Sequence, residues 1–290
     1  MLVYGDLERT EQAREIASEV ENRLSQYRQM PSGLQRHQAL MAAFIRASEL
    51  VQGAVDAEFH QFNADEVSER SEAGNAVLLV LAKAVAVSWD GGFTAAPDAL
   101  GECQPYLSLL SDAGNITTRQ AEGYAFYALY PESYIAAARA SGLGADTLVI
   151  GIRSIGAGLG GLVAAGLGAS PAVTVRPVGH PFQRQLVLGR RLAERLASHY
   201  ADFAIVDEGP AFPAVLSTAL PTGLWSRVLM SIESTSFPAM LVTSAVLRAS
   251  STGSAGKRRA STSSASSGCC SHQTSRLMGW NAGSAMSLGH

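Results

Sequence analysis

The stretch that decides the fold is residues 146–169, DTLVIGIRSIGAGLGGLVAAGLGA. Its apolar run TLVIGI predicts a buried β-strand, and the small residues from Gly156 onward predict a helix. Gly156, Gly158 and Gly161 have the spacing GxGxxG between the strand and the helix. This spacing is typical of a turn that holds a phosphate, but it also lets a helix pack closely against a sheet, so both interpretations stay open.

The alternation of strands and helices continues downstream. Residues 172–177 (AVTVRP) and 203–208 (FAIVDE) predict two more strands, with a helix at residues 186–200 between them. Strands joined by crossover helices form a parallel sheet, so the predicted fold class is α/β, a parallel sheet with crossover helices. Because ligands bind beyond the carboxyl ends of such strands, the residues there form the candidate site.

Residues 1–115 are predicted to be a helical N-terminal region that precedes the sheet. Apolar residues recur at helical spacing in three segments, residues 8–29, 34–55 and 65–89. Thr117 and Thr118 are predicted to cap a further helix at residues 119–130, and Pro131 is predicted to open the next one.

Composition narrows the class of protein. Apolar residues make up 47% of the 290 residues and charged residues 16%, which is typical of globular proteins. The formal net charge of -3 gives no general attraction to nucleic acid or to anionic lipid. Without a long apolar run or a signal peptide, we expect a cytoplasmic protein with no membrane or nucleic-acid partner. Three cysteines form neither a disulfide framework nor a zinc motif, and Cys103 is expected to be a structural thiol.

The segment at residues 202–209, DFAIVDEG, carries a second pattern that concerns phosphate chemistry. Its apolar strand ends in two adjacent acids, Asp207 and Glu208, followed by Gly209. This resembles the phosphoribosyl pyrophosphate (PRPP) motif of the type I phosphoribosyltransferases. In that family the acidic pair contacts the ribose hydroxyls, and the next loop wraps the 5-phosphate. The resemblance covers about residues 146–209.

The resemblance implies a phosphoribosyltransferase-like fold and Mg²⁺-dependent transfer of a phosphoribosyl group between PRPP and a nitrogenous base. Asp207 and Glu208 would hold the ribose and the metal as positive charge develops at the anomeric carbon. The turn GIRSIGAG looks like the pyrophosphate turn of the family, and residues 176–184 look like its mobile segment that closes over the substrate. The implied PRPP contacts are Arg153, Ser154, Gly156, Arg176, His180, Arg184 and Gly209.

The chain departs from the family pattern after Gly209. The family has a Gly/Ser/Thr loop there, whereas this chain has PAFPAVLSTALP, whose prolines lack N–H donors. Codons for PAFPAVL, read one register over, can encode Gly-Leu-Ser-Gly-Ser-Ser. We hypothesise a frameshift near Gly209, so that residues 116–209 are an incomplete phosphoribosyltransferase-like domain. Residues 210–290 would then be out of frame or a disordered, basic, serine-rich tail, and the chain would be poorly active or inactive.

Other interpretations use the same residues. An NADP-binding oxidoreductase of the Rossmann type would bind the dinucleotide at the glycine turn and the 2′-phosphate at Arg176. A non-catalytic regulatory protein would keep the sheet without the site. Asp207 and Glu208 would then be a solvated strand end, Arg153 would pair with Asp207, and His180 would shape a turn. The acceptor base and the oligomeric state, monomer or homodimer, stay open.

The frameshift hypothesis predicts that the coding DNA, read one register over from the codon of Gly209, encodes a Gly/Ser-rich loop and a continuing open frame. Sequencing the gene across this codon is the measurement. Early stop codons in the shifted register would contradict the hypothesis.

Overall fold

A computed structural model describes residues 7–95, 98–120, 123–124, 129–180, 183–198, 202–207, 229–231 and 243–245. These residues lie in one compact unit and form seven α-helices and nine β-strands. The helices are α1 (Ala13–Gln29), α2 (Leu34–Phe62), α3 (Glu69–Asp90), α4 (Cys103–Ser111), α5 (Pro131–Ala140), α6 (Gly156–Leu167) and α7 (Arg190–Leu196). The strands are β1 (Leu7–Gln12), β2 (Asn115–Gln120), β3 (Thr147–Ile152), β4 (Val173–Val175), β5 (Pro177–His180), β6 (Gln183–Leu186), β7 (Asp202–Asp207), β8 (Leu229–Ser231) and β9 (Thr243–Ala245).

The centre of the fold is a five-stranded sheet in the order β4-β3-β7-β8-β9. β3 pairs in parallel with β4 on one side and with β7 on the other, and β7 pairs in parallel with β8. β9 is antiparallel to β8. The prediction of a mixed α/β protein with a parallel sheet and a helical N-terminal region is confirmed. All six residues of β3 are buried, which explains the continuous apolar sequence of a strand covered on both faces.

Helices cover both faces of this sheet. On one face α6 packs between the strands and the N-terminal helices, so that Phe44 of α2, Leu78 of α3 and Leu159 of α6 belong to one hydrophobic core. On the other face Leu192 of α7 packs in a smaller core with Ile150 of β3. α3 is the one described helix that is long and apolar enough to cross a membrane, and 72% of its most apolar window is buried.

The glycines of α6 make its close approach to the N-terminal helices feasible. A Cβ atom added at Gly158 would lie 2.5 Å from the hydroxyl oxygen of Ser48 on α2. A Cβ atom at Gly161 would lie 3.2 Å from the Cβ atom of Leu78 on α3. These two glycines therefore face neighbouring helices and serve close packing, which is one of the two interpretations that the sequence leaves open.

Two segments that were predicted to begin helices form a small antiparallel sheet instead. The helix predicted at residues 8–29 is wrong in its first turn, because Leu7–Gln12 form β1. Thr117 and Thr118 lie in β2, paired with β1, instead of capping a helix. The hydroxyl of Thr118 donates to Glu11 on β1. Ile116 is the one apolar residue of β2, so neither strand shows the apolar alternation by which periodicity would indicate this pairing. The helix predicted at residues 119–130 otherwise falls largely outside the described residues.

Arg46 on α2 fastens β1 to the helices. Its guanidinium nitrogens lie 2.6 Å from Glu11 on β1, 2.8 Å from Glu19 on α1 and 2.6 Å from Glu49 on α2. The hydrogen bond from Arg46 lowers the pKa of Glu11 by more than burial raises it. The ionised form of Glu11 is therefore the form that stabilises the fold.

Replacing Glu11 by glutamine is expected to reduce the free energy of unfolding by about 1.5 kcal/mol near neutral pH, as for a hydrogen bond to a charged group. Because the pKa of Glu11 is lower in the folded state, its contribution is complete above the unfolded value of 4.5. The contribution is lost as the pH falls through the lower folded value. Urea unfolding of the native protein and Glu11→Gln at a series of pH values measures this, and a difference that stays constant into acid would contradict it.

Candidate functional site

The carboxyl ends of β3, β4 and β7 meet at one edge of the sheet. In the parallel register Gly151 of β3 lies opposite Val206 of β7, one residue before Asp207. Arg153 and Ser154 follow β3, so the structure brings this turn and Asp207 together on neighbouring strands.

The turn after β3 folds back tightly over the strand ends. A Cβ atom on Gly151 would lie 2.0 Å from the carbonyl oxygen of Gly156, and one on Gly156 would lie 2.9 Å from the carbonyl oxygen of Val206. The peptide bond between Arg153 and Ser154 is cis. α6 therefore begins directly over the ends of β3 and β7, and only glycine fits at these two positions without movement of the backbone.

Arg153 is buried and its charge is compensated within the protein. Its side chain is 0% exposed. Its Nε donates to Oδ1 of Asp56 on α2 at 2.8 Å, and one terminal nitrogen donates to Asp65 in the loop after α2. The other terminal nitrogen donates to the hydroxyl of Thr174 on β4 at 3.0 Å. Arg153 thus connects the sheet edge to the N-terminal helices.

Arg176, directly after β4, shares both of these carboxylates. Its Nε donates to Oδ1 of Asp56 at 2.9 Å, a terminal nitrogen donates to Oδ2 of Asp56, and its backbone N–H donates to Oδ2 of Asp65 at 2.6 Å. Its side chain is 15% exposed, so Arg176, unlike Arg153, borders solvent. We call Asp56, Asp65, Arg153 and Arg176 the Arg–Asp cluster; it contains two cations and two carboxylates.

The pKa values of the two carboxylates in the Arg–Asp cluster are shifted in opposite directions. Burial raises the pKa of Asp56, but the guanidinium groups of Arg153 and Arg176 outweigh burial and leave this pKa below its ordinary value. At Asp65 burial outweighs the effect of Arg153, and the pKa is raised. Of the two carboxylates, Asp56 therefore favours its ionised form more strongly, and this form compensates the charges of Arg153 and Arg176.

Asp56 is itself held by Gln52, one turn earlier on α2. The Nε2 of Gln52 donates to Oδ2 of Asp56 at 2.6 Å, and its Oε1 accepts the backbone N–H of Arg119 on β2 at 2.9 Å. Sequence reasoning missed Gln52, Asp56 and Asp65. The available signal was the recurrence of the polar residues Ser48, Gln52 and Asp56 every four positions, which places them on one face of α2.

Residues 176–184, interpreted from the sequence as a mobile closing segment, include an antiparallel hairpin of β5 and β6. Arg184 lies on β6 opposite Gly179 of β5. His180 ends β5, but its side chain falls outside the described part of the structure, as do Glu208 and Gly209. The roles assigned to these residues from the sequence stay predictions.

The acidic side chains and the cavity near Ser154 limit the metal ions and ligands that could bind here. Within the described residues, no group of three or more His, Cys, Asp or Glu side chains is arranged to hold a metal ion. A single carboxylate such as Asp207 could hold Mg²⁺ only together with substrate phosphates, which is a usual arrangement for this ion. A cavity of about 60 Å³ beside Ser154, lined also by Glu49 and Gln52, has room for about two water molecules.

Comparison of the chain with protein-family models, with curated proteins and with solved structures found no match. The geometry of the strand edge therefore carries the functional inference.

Replacing Asp56 by asparagine is expected to reduce the free energy of unfolding by about 3–5 kcal/mol, because Arg153 and Arg176 would be left with one carboxylate in a buried site. The matched control is Asp90→Asn, which removes an exposed ion pair with Arg139 and should cost about 0–1 kcal/mol. Denaturant unfolding of the three proteins checks this. Equal losses for the two variants would contradict the assignment of Asp56 as the anchor of the arginines.

Proposed function

We propose that the protein is phosphoribosyltransferase-like and that the edge formed by β3 and β7 binds PRPP with Mg²⁺, for transfer of the phosphoribosyl group to or from a nitrogenous base. The observation that carries this proposal is the adjacency of the turn after β3 and the acid that ends β7. The anomeric carbon of PRPP joins its diphosphate to the ribose that bears the hydroxyls. A site for both groups therefore needs their binding residues close together, and the parallel pairing of β3 with β7 supports this for the turn that holds Ser154 and for Asp207.

Each part of the edge has a role in this proposal. Asp207 and Glu208 hold the ribose hydroxyls and favour the positive charge that develops at the anomeric carbon. Ser154 and the N–H groups at the start of α6 receive the diphosphate, as helix N-termini receive anions. The hydroxyl of Tyr134 on α5 donates to the carbonyl oxygen of Asp207 at 3.2 Å and steadies the strand end. Asp207 would hold Mg²⁺, and the ion would supply positive charge for the leaving diphosphate.

The Arg–Asp cluster changes the role proposed for Arg153. A guanidinium held by Asp56 and Asp65 at zero exposure shapes the backbone of the turn, and the diphosphate meets N–H groups and Ser154 instead. Arg176, whose side chain borders solvent, and Arg184 on the hairpin are the arginines proposed to meet the ligand.

The dinucleotide alternative has less support from the geometry. A Rossmann turn needs its glycines at the pyrophosphate, yet Gly158 and Gly161 face Ser48 and Leu78 of neighbouring helices. NADPH therefore serves as the comparison ligand.

Binding of PRPP is tested by thermal unfolding of the full chain with Mg²⁺ and a titration of PRPP or NADPH. We expect PRPP to raise Tm, because a ligand at about 100 times its Kd stabilises a protein by about 2.7 kcal/mol. Ser154→Ala and Asp207→Asn should weaken PRPP binding about tenfold or more, as loss of about 1.4 kcal/mol implies.

Matched controls for this titration are Ser111→Ala and Asp90→Asn, which alter a half-buried residue at the end of α4 and an exposed residue at the end of α3. They should bind PRPP like the native protein. Stabilisation by NADPH alone, or equal PRPP affinity in all four variants, would contradict the proposal. Stabilisation by PRPP without turnover agrees with a chain that lacks the 5-phosphate loop.

A further inference from the structure

Asp65 joins two segments that follow different strands of the sheet. It lies in the loop between α2 and α3, and its side chain is 2% exposed. One carboxylate oxygen accepts the guanidinium of Arg153 in the turn after β3. The other accepts the backbone N–H of Arg176, where the β5–β6 hairpin begins, at 2.6 Å. A single planar carboxylate therefore links the turn to the start of the hairpin.

The backbone of Asp65 holds the other end of the same hairpin. Its N–H donates to the carbonyl oxygen of Val187 at 2.8 Å, and its carbonyl oxygen accepts the N–H of Gly189 at 2.7 Å. Asp65 and Leu188 form a parallel β-bridge. The hairpin is thus fixed at its entry and at its exit by one residue of the helical region.

We propose that Asp65 is a positioning residue that sets the β5–β6 hairpin relative to the turn after β3, so that anion binding at the turn and ordering of the hairpin depend on each other. The two oxygens of Asp65 belong to one rigid group. A shift of Arg153 at one oxygen therefore moves the acceptor of the Arg176 N–H at the other, a contiguous route for coupling. The ligand part of this inference rests on the proposed function, whereas the anchoring of the hairpin does not.

The anchoring is tested by amide hydrogen exchange of the native full chain, Asp65→Asn and Glu66→Gln. Asp65→Asn keeps an oxygen acceptor and the backbone bonds but removes the charge that holds Arg153. Glu66→Gln is the matched control, because the neighbouring carboxylate accepts the N–H groups of Leu192 at 2.9 Å and Arg191 at 3.3 Å at the start of α7.

We expect exchange in residues 176–189 and in the turn at residues 153–157 to speed up about tenfold or more in Asp65→Asn, with α7 unchanged. Glu66→Gln should speed up exchange in α7 and leave residues 176–189 as in the native protein. Unchanged exchange of residues 176–189 in Asp65→Asn, or equal acceleration in every element, overturns the positioning role.

A second variant keeps the test decisive if Asp65→Asn does not fold. Arg153→Lys keeps the positive charge but loses the planar fork that reaches Asp56, Asp65 and Thr174 together. We expect faster exchange in residues 176–189 although the substitution lies in the turn. Acceleration confined to the turn would overturn the coupling.

Inorganic pyrophosphate with Mg²⁺ is the probe for the ligand part. It should slow exchange in residues 176–189 of the native protein and of Glu66→Gln, and Asp65→Asn should bind it about tenfold more weakly and lose this response. Absence of pyrophosphate binding by the native protein overturns the proposed function and the ligand coupling with it. Binding without a response in residues 176–189 overturns the coupling while leaving the proposed function standing.

Discussion

The burial of the Arg153 guanidinium is the constraint on which the rest of the structure depends. A guanidinium with no exposed surface is costly unless carboxylates compensate it, and the carboxylates here come from positions 97 and 88 residues earlier in the chain. The Arg–Asp cluster can form only when α2, the loop after it and the ends of β3 and β4 have come together. The N-terminal helices and the carboxyl ends of the strands therefore form one structural unit.

The cluster also determines how charge is distributed at the strand edge. Asp56 and Asp65 compensate the charges of Arg153 and Arg176, so the proposed site draws on the turn after β3 for its contacts to an anion. Arg176 is the cationic member of the cluster that borders solvent. The proposed PRPP site consequently relies on Mg²⁺ and on oriented dipoles more than on buried arginine charge.

The sequence predicted the elements whose apolar residues follow a clear pattern. β3, β7 and their parallel pairing followed from continuous apolar runs. Close packing by Gly158 and Gly161 was one of two open alternatives, and choosing between them required knowing what faced each glycine. The small β1–β2 sheet and the contacts of Asp56 and Asp65 could not be read from periodicity, because they depend on polar pairing across long stretches of chain. Membership of the phosphoribosyltransferase family stays a proposal.

The measurement that tests the central claim most directly is a crystal structure of the full chain with Mg²⁺ and PRPP. We expect the diphosphate against Ser154 and the start of α6, the ribose beside Asp207, and the Arg153 guanidinium still hydrogen bonded to Asp56 and Asp65. A ligand bound away from the edge of β3 and β7, or an Arg153 side chain that leaves Asp56 and Asp65 to contact the diphosphate, would contradict it.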